Sequence, residues 1–389
     1  MKNISKEVII LSLAFSFVFF GYNGVQQYLT LYFSKLNLFK VGFYSLILIY
    51  LFFILFSFLS ALFVKKYGFK KPLLIASLFY SIFIFSLLTK SIFLVYLASI
   101  LLGISAAFLW MGQISCLVRE TEKKFYGESS GFFNTFLSLG SGLGIFILGF
   151  LIEKLKDFET PFLFFAFFPL IGAFIFLKLK EKKPEKNLER IKFPKKLFLS
   201  KTSLQFSSLW FAQTFVFGIT IGILPLQVEK ALGVSFVGIL SSLFLILPII
   251  FSYLIGRLSD KIGREILIFV SYFFRLISFL FLSIPKTFYL MLGVFFLILG
   301  QIFSSPISFA IVGDVTDKKN LEFLNALFNA FSVSGVVLAL SFSTLKSPKI
   351  IYLVSFLVTL ISLFLILPLL KLGLEKVREK IIKEIGVLE

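Results

Sequence analysis

The feature that most constrains this chain is a series of long apolar runs, each long enough to cross a lipid bilayer. Hydrophobic residues make up 58% of the 389 residues, and phenylalanine alone contributes 57. An apolar stretch of about 20 residues spans the bilayer core as a helix, and lipid admits only helices or closed barrels. The runs lack the alternating pattern of barrel strands. We therefore predict an all-α polytopic membrane protein.

Polar breaks divide the sequence into twelve such runs, which is the predicted number of transmembrane helices. The runs are 8–34, 41–64, 73–89, 92–118, 129–152, 161–178, 203–228, 234–255, 266–285, 287–312, 321–345 and 349–370. An even number of spans places both ends of the chain on one side of the membrane. The first run is too long for a cleavable signal and no small-residue cleavage site follows it, so we expect it to remain as a helix.

Lysine and arginine are distributed unequally between the two sides of this arrangement. With the N-terminus inside, the cytoplasmic segments hold 29 of the 39 basic residues and the outer loops hold nine. The positive-inside rule then predicts a multi-pass protein of the cell inner membrane with both termini in the cytoplasm. The net charge of +19 follows from this topology and from attraction to anionic inner-leaflet lipids. We therefore expect a lipid partner and no nucleic acid.

A basic stretch containing two prolines divides the twelve runs into six and six. This stretch, KLKEKKPEKNLERIKFPKKLFLSK, carries ten of the basic residues and is predicted to be a cytoplasmic linker. The predicted domains are an N-terminal six-helix bundle (1–178), the linker (179–202), a C-terminal six-helix bundle (203–370) and a cytoplasmic tail (371–389). In the tail, Leu374, Val377, Ile381 and Ile385 recur at helical spacing, which predicts a short amphipathic helix on the inner membrane surface.

The two halves resemble each other at equivalent positions, which indicates an internal repeat. The turn VKKYGFKK after the second run corresponds to GRLSDKIGRE after the eighth run when Gly68 is aligned with Gly263. Asn134 in the fifth run likewise corresponds to Asn325 in the eleventh. Membrane transporters are commonly built from such repeats, with the substrate site near mid-membrane between the halves. We therefore predict two pseudo-symmetric six-helix bundles.

The stretch GRLSDKIGRE resembles the charged turn of the major facilitator superfamily, which in that family joins helices 2 and 3 and is often repeated between helices 8 and 9. Gly256, Asp260, Gly263 and Arg264 match the pattern. The twelve runs and the basic central linker match as well. In the N-terminal half, FGYNGVQQYLTLYF and LLGISAAFLWMGQISCLV also resemble the uncoordinated-93-like branch. The resemblance implies the major facilitator fold over essentially the whole chain.

The resemblance also implies that the charged turn is a conformational latch. Asp260 would accept hydrogen bonds from a neighbouring helix N-terminus and pair with Arg257 and Arg264, holding one face of the bundle closed. Gly256 and Gly263 would allow a tight reversal and close helix approach. The alternative is a solvated, positively charged loop without such a role. The N-terminal copy differs, because a lysine stands where the second copy has its aspartate.

Polar side chains inside the apolar runs are expensive to bury and therefore indicate function. In the major facilitator fold, helices 1, 4, 7 and 10 line the central cavity, so polar residues of these runs are cavity candidates. The candidates are Asn23, Gln27, Trp110, Gln113, Gln213 and Gln301. The alternative for each of them is an interhelical contact that only packs the bundle.

Arg275 is the only charge that lies deep in an apolar run. It follows Glu265 by about 15 Å along a helix, which places it near mid-membrane. We add Arg275 to the cavity candidates as an anchor for an anionic substrate. The alternative is a brace to a neighbouring helix, because the ninth helix is peripheral in the major facilitator fold.

The residue types that the sequence lacks narrow the function further. It has no histidine and no Asp or Glu deep in any run, whereas proton-driven relays usually need such a group. Gly103, Gly140 and Gly144 are predicted to permit close helix packing, but the fifth run lacks the Gly-Pro pair of the drug–proton antiporter motif. Cys116 is the single cysteine and no phosphate-binding glycine loop is present. We therefore expect no metal site, no cofactor and no enzymatic activity.

Two functions from different classes remain. The first is a secondary transporter that moves a small solute by alternating access between the two bundles. The second is a pseudo-transporter that binds or regulates a membrane partner, a role that the uncoordinated-93-like resemblance also implies. The internal repeat, the acidic turn and the set of polar residues favour transport. We expect a monomer whose ligand is a small-molecule solute.

Overall fold

The structure, a computed structural model, describes residues 4–121, 126–181, 200–315, 321–344 and 347–385. The N-terminal half contains α1 (Lys6–Lys35), α2 (Phe39–Tyr67), α3 (Lys70–Leu88), α4 (Ile92–Arg119), α5 (Tyr126–Leu155), α6 (Glu159–Phe165) and α7 (Phe168–Phe176). The C-terminal half contains α8 (Lys201–Ile221), α9 (Ile223–Leu232), α10 (Val234–Ile262), α11 (Arg264–Leu282), α12 (Thr287–Val315), α13 (Leu321–Ser343), α14 (Pro348–Leu372) and α15 (Leu374–Ile385). Most of the predicted linker, 179–202, lies outside the described residues.

The described helices have the length and composition of membrane spans. Eleven spans are long and apolar enough to cross a bilayer, with α6 and α7 forming one of them. The eighth predicted run lies on α10, whose apolar stretch in the described part is Val234–Phe244. Phe93, Phe174 and Phe364 are 73%, 70% and 67% exposed on the outside, where lipid is the favourable solvent for them. The all-helical, multi-pass architecture is confirmed, and the number of twelve spans stays a prediction.

The short connections divide the helix ends between two faces of the bundle. The turn face carries the connections at Gly68 and Gly263, and the opposite face carries those near Asn37, Lys90 and Gly233. Gly68 and Gly263 have φ values of 90° and 92°, a conformation that glycine adopts without steric cost. The two positions aligned in the sequence therefore reverse the chain in the same way.

Two of the predicted spans are interrupted helices. In the sixth, Pro169 lies in the first turn of α7, where its missing N–H ends the preceding helical bonding. In the seventh, Gly222 has φ −93° and ψ −89° and separates α8 from α9. Pro225 follows and cannot donate to the carbonyl of Ile221. The seventh span is therefore not one continuous helix, and its break exposes backbone carbonyls to other side chains.

Glycine permits close contact between α1 and α5. A Cβ atom on Gly140 would lie 2.2 Å from the carbonyl oxygen of Ser16, and one on Gly144 would lie 2.1 Å from that of Phe20. A Cβ atom on Gly103 would likewise lie 2.3 Å from a carbonyl oxygen of α2. Such small residues let helix backbones approach closely in lipid. Between the halves, α5 packs along α10 and α2 packs along α13.

The tail forms α15, and its apolar side packs on the bundle. Val377 and Ile381 are fully buried, and α15 contacts α8, α12 and α14. From the sequence, the apolar side of α15 was expected to lie on the inner membrane surface. The bundle covers it instead, because the ends of three helices offer it a closer-packed apolar surface than lipid would.

We expect Gly144→Ala to lower the unfolding temperature of the purified protein in detergent. The added Cβ would lie 2.1 Å from the Phe20 carbonyl oxygen, so α1 and α5 would have to separate, and overpacking costs about 1–3 kcal/mol. Gly131→Ala on the same helix is the control, because a Cβ there has no atom within 4 Å. Equal unfolding temperatures for the two variants would contradict the packing role.

Candidate functional site

A cavity lies between the two halves, near the middle of the helices. It offers about 30 Å³ to the centres of water molecules, enough for about two of them. Its polar groups come from Asn23, Gln26 and Gln27 of α1, Thr220 of α8 and Ser241 of α10, and its other lining residues are apolar. A mainly apolar lining with a few placed polar groups is the composition of small-molecule sites, and in this arrangement of the halves the cavity has room only for water.

Amide side chains of α1 connect this cavity to neighbouring helices. Asn23 Nδ2 donates to Ser141 Oγ on α5 at 2.9 Å, and Gln26 Nε2 donates to Tyr50 Oη on α2 at 2.7 Å. Asn23 and Gln27, four residues apart, lie on one face of α1. Gln26 was not among the cavity candidates, although its place beside Gln27 in the sequence was a signal for it.

Backbone carbonyl groups at the break in the seventh span accept hydrogen bonds from side chains of the other half of the molecule. Gln27 Nε2 donates to the carbonyl oxygen of Thr220 at 2.9 Å. One turn further along α1, Thr30 Oγ1 donates to the carbonyl oxygen of Gly222 at 3.2 Å. A backbone carbonyl without a helical partner needs another donor inside a membrane. These bonds therefore join α1 to α8 beside the cavity.

An ion pair joins the same two halves at the opposite face. Lys35 Nζ lies 2.7 Å from Glu229 Oε1, linking the end of α1 to α9. The lysine side chain is 54% exposed, and ion pairs of this kind contribute only about 0–1 kcal/mol. Together with the two hydrogen bonds on the break, this pair joins the two halves on the opposite-face side of the molecule by contacts that are individually weak.

The remaining predicted candidates do not line the described cavity. Trp110 packs against the rings of Phe15 and Phe19 of α1, with centroid distances of 5.6 Å and 5.3 Å. Gln113 is buried, and its Oε1 has no hydrogen-bond partner among the described residues. Gln301 is half-buried on α12. Trp110 therefore serves packing within the N-terminal half in this conformation.

Gln213 and Arg275 belong to a second polar cluster, inside the C-terminal half. Gln213 Nε2 donates to Ser304 Oγ at 3.4 Å, and Ser308 Oγ donates to Gln213 Oε1 at 2.8 Å. Arg275 Nη2 donates to the same Ser304 Oγ at 2.6 Å. Ser304 thus connects α8, α11 and α12. Neither serine was among the predicted cavity candidates. Their spacing of four residues, which puts both on one face of α12, could have indicated them.

The charged turn after α10 is described in part. Gly256, Arg257 and Asp260 lie in the last turns of that helix, and their side chains lie outside the described residues. Arg264, at the start of α11, places Nε 2.6 Å from Asp314 Oδ2 near the end of α12. An arginine–carboxylate pair therefore exists at this turn, and the role of Asp260 stays a prediction.

The turn of the N-terminal half is built differently. Lys65, at the position equivalent to the aspartate, places Nζ 5.3 Å from the ring centroid of Phe323 on α13, which belongs to the other half. A carboxylate is supplied from elsewhere, because Glu181 accepts hydrogen bonds from the backbone amides of Phe69 and Lys70. Glu181 thus caps the N-terminus of α3, and a lysine makes the contact between the halves.

A second carboxylate that lies outside the turns caps α8, the first helix of the C-terminal half. Glu384 of α15 accepts hydrogen bonds from Ser200 Oγ at 2.7 Å and from the backbone amide of Thr202 at 3.0 Å. Burial alone would raise the pKa of Glu384, but hydrogen bonds from Thr202 and Ser200 outweigh it and lower the pKa. The tail is therefore tied to the start of α8 by an ionised side chain.

We expect Glu384→Gln to lower the unfolding temperature at neutral pH, since loss of a helix cap costs about 1 kcal/mol. A carboxyl group whose native pKa is lowered stabilises the fold above its ordinary value of 4.5, and this contribution disappears as the pH falls through the lowered pKa. The difference between variant and wild type should therefore vanish in acid. Thermal unfolding in detergent from pH 7 to about pH 3 checks this, and a difference independent of pH would contradict it.

We expect Lys35→Glu to open the opposite face, because it places two carboxylates where the ion pair was. The rate at which a membrane-impermeant maleimide labels Ser241→Cys, in a Cys116→Ser background, should rise about two- to fivefold. The double variant Lys35→Glu/Glu229→Lys should restore the slow rate.

The control for this experiment is a pair on the same face within one half. Lys90 Nζ lies 2.5 Å from Glu159 Oε1, and Lys90→Glu should leave the labelling rate unchanged. A similar increase in both single variants would show that surface charge, and not the contact between the halves, controls access.

Comparison with known proteins places this arrangement in a family. The sequence model of the Major Facilitator Superfamily matches residues 8–218 and 206–386. An uncharacterized MFS-type transporter of Methanocaldococcus jannaschii is 28% identical over 254 residues, which are 62% of this chain and 65% of that protein. A UNC93-like protein of Xenopus tropicalis is 27% identical over 182 residues, 45% of this chain and 41% of that protein. Multidrug resistance protein 1 of Bacillus subtilis is 32% identical over 128 residues, 32% of each chain.

The aligned parts span less than two thirds of each of these relatives. The family match, by contrast, extends over both halves of the chain. It confirms the resemblance predicted from the charged turn and the N-terminal helices, and it agrees with the helical spans described above. The protein therefore belongs to the major facilitator superfamily and is a multi-pass membrane protein.

Proposed function

We propose that this protein is a secondary transporter that moves a small solute by alternating access. The observation that carries the proposal is the set of polar contacts that joins the halves beside the cavity. Gln27, Thr30 and Lys35 of the N-terminal half contact Thr220, Gly222 and Glu229 of the C-terminal half between the cavity and the opposite face. Contacts of this kind block one entrance while the two halves are in this arrangement, and they can separate without unfolding either half.

The moving bodies of the proposal are the two six-span halves, 1–178 and 203–370. The turn face is the cytoplasmic face, since the sequence places most lysine and arginine there. Each of the three polar contacts between the halves described above is a single hydrogen bond or an exposed ion pair, worth about 1 kcal/mol each. A transition that exchanges three such contacts lies within the few kcal/mol that separate conformations of one protein.

Contacts on the turn face would hold the alternative arrangement. Lys65 already reaches Phe323 across the halves, and the Arg264–Asp314 pair orders the turn beside α12. In the proposal Asp260 acts with Arg257 as the latch at this face. The solute binds between the halves, with Asn23 and Gln27 as its first polar contacts.

The proposal is tested by solute-dependent behaviour of the purified protein. A broad panel of small polar and amphipathic solutes is screened for thermal stabilisation in detergent, and each stabilising solute is tested for counterflow in proteoliposomes. We expect at least one solute to give both signals. A panel that gives neither would contradict transport and favour the pseudo-transporter, which binds a membrane partner and moves nothing.

We expect Asp260→Asn to impair counterflow while expression and unfolding temperature stay close to wild type, because the latch acts on the movement and not on the fold. Asp314→Asn, which removes the partner of Arg264, should act in the same direction. Asp157→Asn is the control, since Asp157 lies on the opposite face and accepts hydrogen bonds from Thr160 beside it. Unchanged flux in Asp260→Asn would contradict the latch.

A further inference from the structure

Arg275 is a buried cation whose hydrogen-bonding capacity is largely unused. Its side chain is 1% exposed, and Nη2 donates to Ser304 Oγ at 2.6 Å. Among the described residues, Nε and Nη1 have no hydrogen-bond partner. The ring of Tyr272 lies beside the guanidinium, with 6.0 Å between Cζ and the ring centroid. Gly300 on α12 leaves room for the side chain, because a Cβ there would lie 2.8 Å from Arg275 Cγ.

The chain contains no carboxylate at the depth of Arg275. All of its Asp and Glu residues lie near the ends of the runs or in the connections. On α11 the nearest is Glu265, about 15 Å away along the axis. On α12, Asp314 is about 15 Å from Ser304 by the same measure, and it is paired with Arg264. A guanidinium stays protonated in proteins, and a charge without a carboxylate partner is costly inside a membrane. A bound anionic ligand would supply the missing counter-charge and use the two nitrogen atoms that have no partner among the described residues.

The cluster around Arg275 continues the walls of the central cavity. On α8, Gln213 precedes the lining residues Phe217 and Thr220 by four and seven positions, and on α12, Ser304 follows the lining residue Leu297 by seven. Residues at these spacings share one helix face. Gln213 is itself only half-buried. A solute that moves from the cavity toward the turn face therefore meets Gln213 and Ser304, and behind them the guanidinium.

We propose that the transported solute is a small amphipathic monocarboxylate whose carboxylate pairs with Arg275. This deepens the transport proposal and rests on it. A guanidinium binds a carboxylate through two parallel hydrogen bonds, which would use donors that are now without partners. Gln213 and Ser304 hold the same end of the solute, and the apolar residues of the cavity wall contact its body once the halves have moved apart. One ligand charge balances one arginine, which favours a carboxylate over a doubly charged phosphate.

The test compares carboxylates with neutral molecules of the same shape. Butyrate, hexanoate, benzoate and phenylacetate are each paired with the corresponding carboxamide, and thermal stabilisation and counterflow are measured for wild type. We expect one or more of the carboxylates to give both signals and its amide to give neither. Counterflow of amides alone, or of other neutral solutes alone, would overturn the proposal for Arg275 and leave transport standing. A lack of counterflow with any solute would overturn both.

Substitutions of Arg275 test whether its guanidinium is the group that recognises the carboxylate. Arg275→Gln should weaken the apparent affinity for the carboxylate about 10- to 100-fold and reduce the preference for carboxylate over amide, while Arg275→Lys keeps the charge and retains part of both. Ser278→Ala is the matched control, because Ser278 is buried on the same helix and bonds to the Gly293 carbonyl at 2.7 Å. A preference that survives in Arg275→Gln would overturn the proposal. Should that variant fail to fold, a reduced or lost preference in Arg275→Lys decides for the proposal, and a fully retained preference decides against it.

Discussion

Lipid offers no hydrogen bonds, and this absence determines where polar groups of the protein can lie. Each backbone carbonyl inside the membrane needs a donor from the protein. The break at Gly222, between α8 and α9, leaves carbonyl groups without a helical donor. The donors that reach them are Gln27 and Thr30 of the N-terminal half. A local irregularity in one half is thus satisfied by the other half, which makes the break part of the contact between them.

The two turns of the turn face differ in where their helix caps and cross-half contacts come from. Each half needs a capped helix start on the turn face, and the N-terminal turn has lysine where the second turn has aspartate. Glu181, from the far end of that half, caps α3 instead, and Glu384 caps α8 from the tail. Because Glu181 caps α3, the residue at the position of Lys65 is not needed as a cap, and Lys65 contacts Phe323 of the other half. A duplicated sequence can therefore retain its architecture while its two turns take different roles.

Much of the architecture could be predicted from the sequence, and parts of the site could not. Apolar length identifies spans because a helix that crosses the bilayer core needs about 20 mainly apolar residues, whichever of them face lipid and whichever face other helices. The predicted residues Asn23 and Gln27 line the cavity, whereas Trp110 packs within its own half and Arg275 lies behind Ser304. A helix period gives the face on which a residue lies, but the partner of that face depends on how the described helices pack against one another.

The sequence by itself determined the solvent, the helical class and the family, because each follows from composition, run length or a local turn pattern. It also predicted the division into two bundles and placed no Asp or Glu in the middle of an apolar run beside Arg275. Only the tertiary structure decided which side chains join the halves near the opposite face, that Glu181 and Glu384 serve as caps, and that Ser304 joins Gln213 to Arg275. These contacts connect residues that are distant in the chain, and no local pattern encodes a distance between helices.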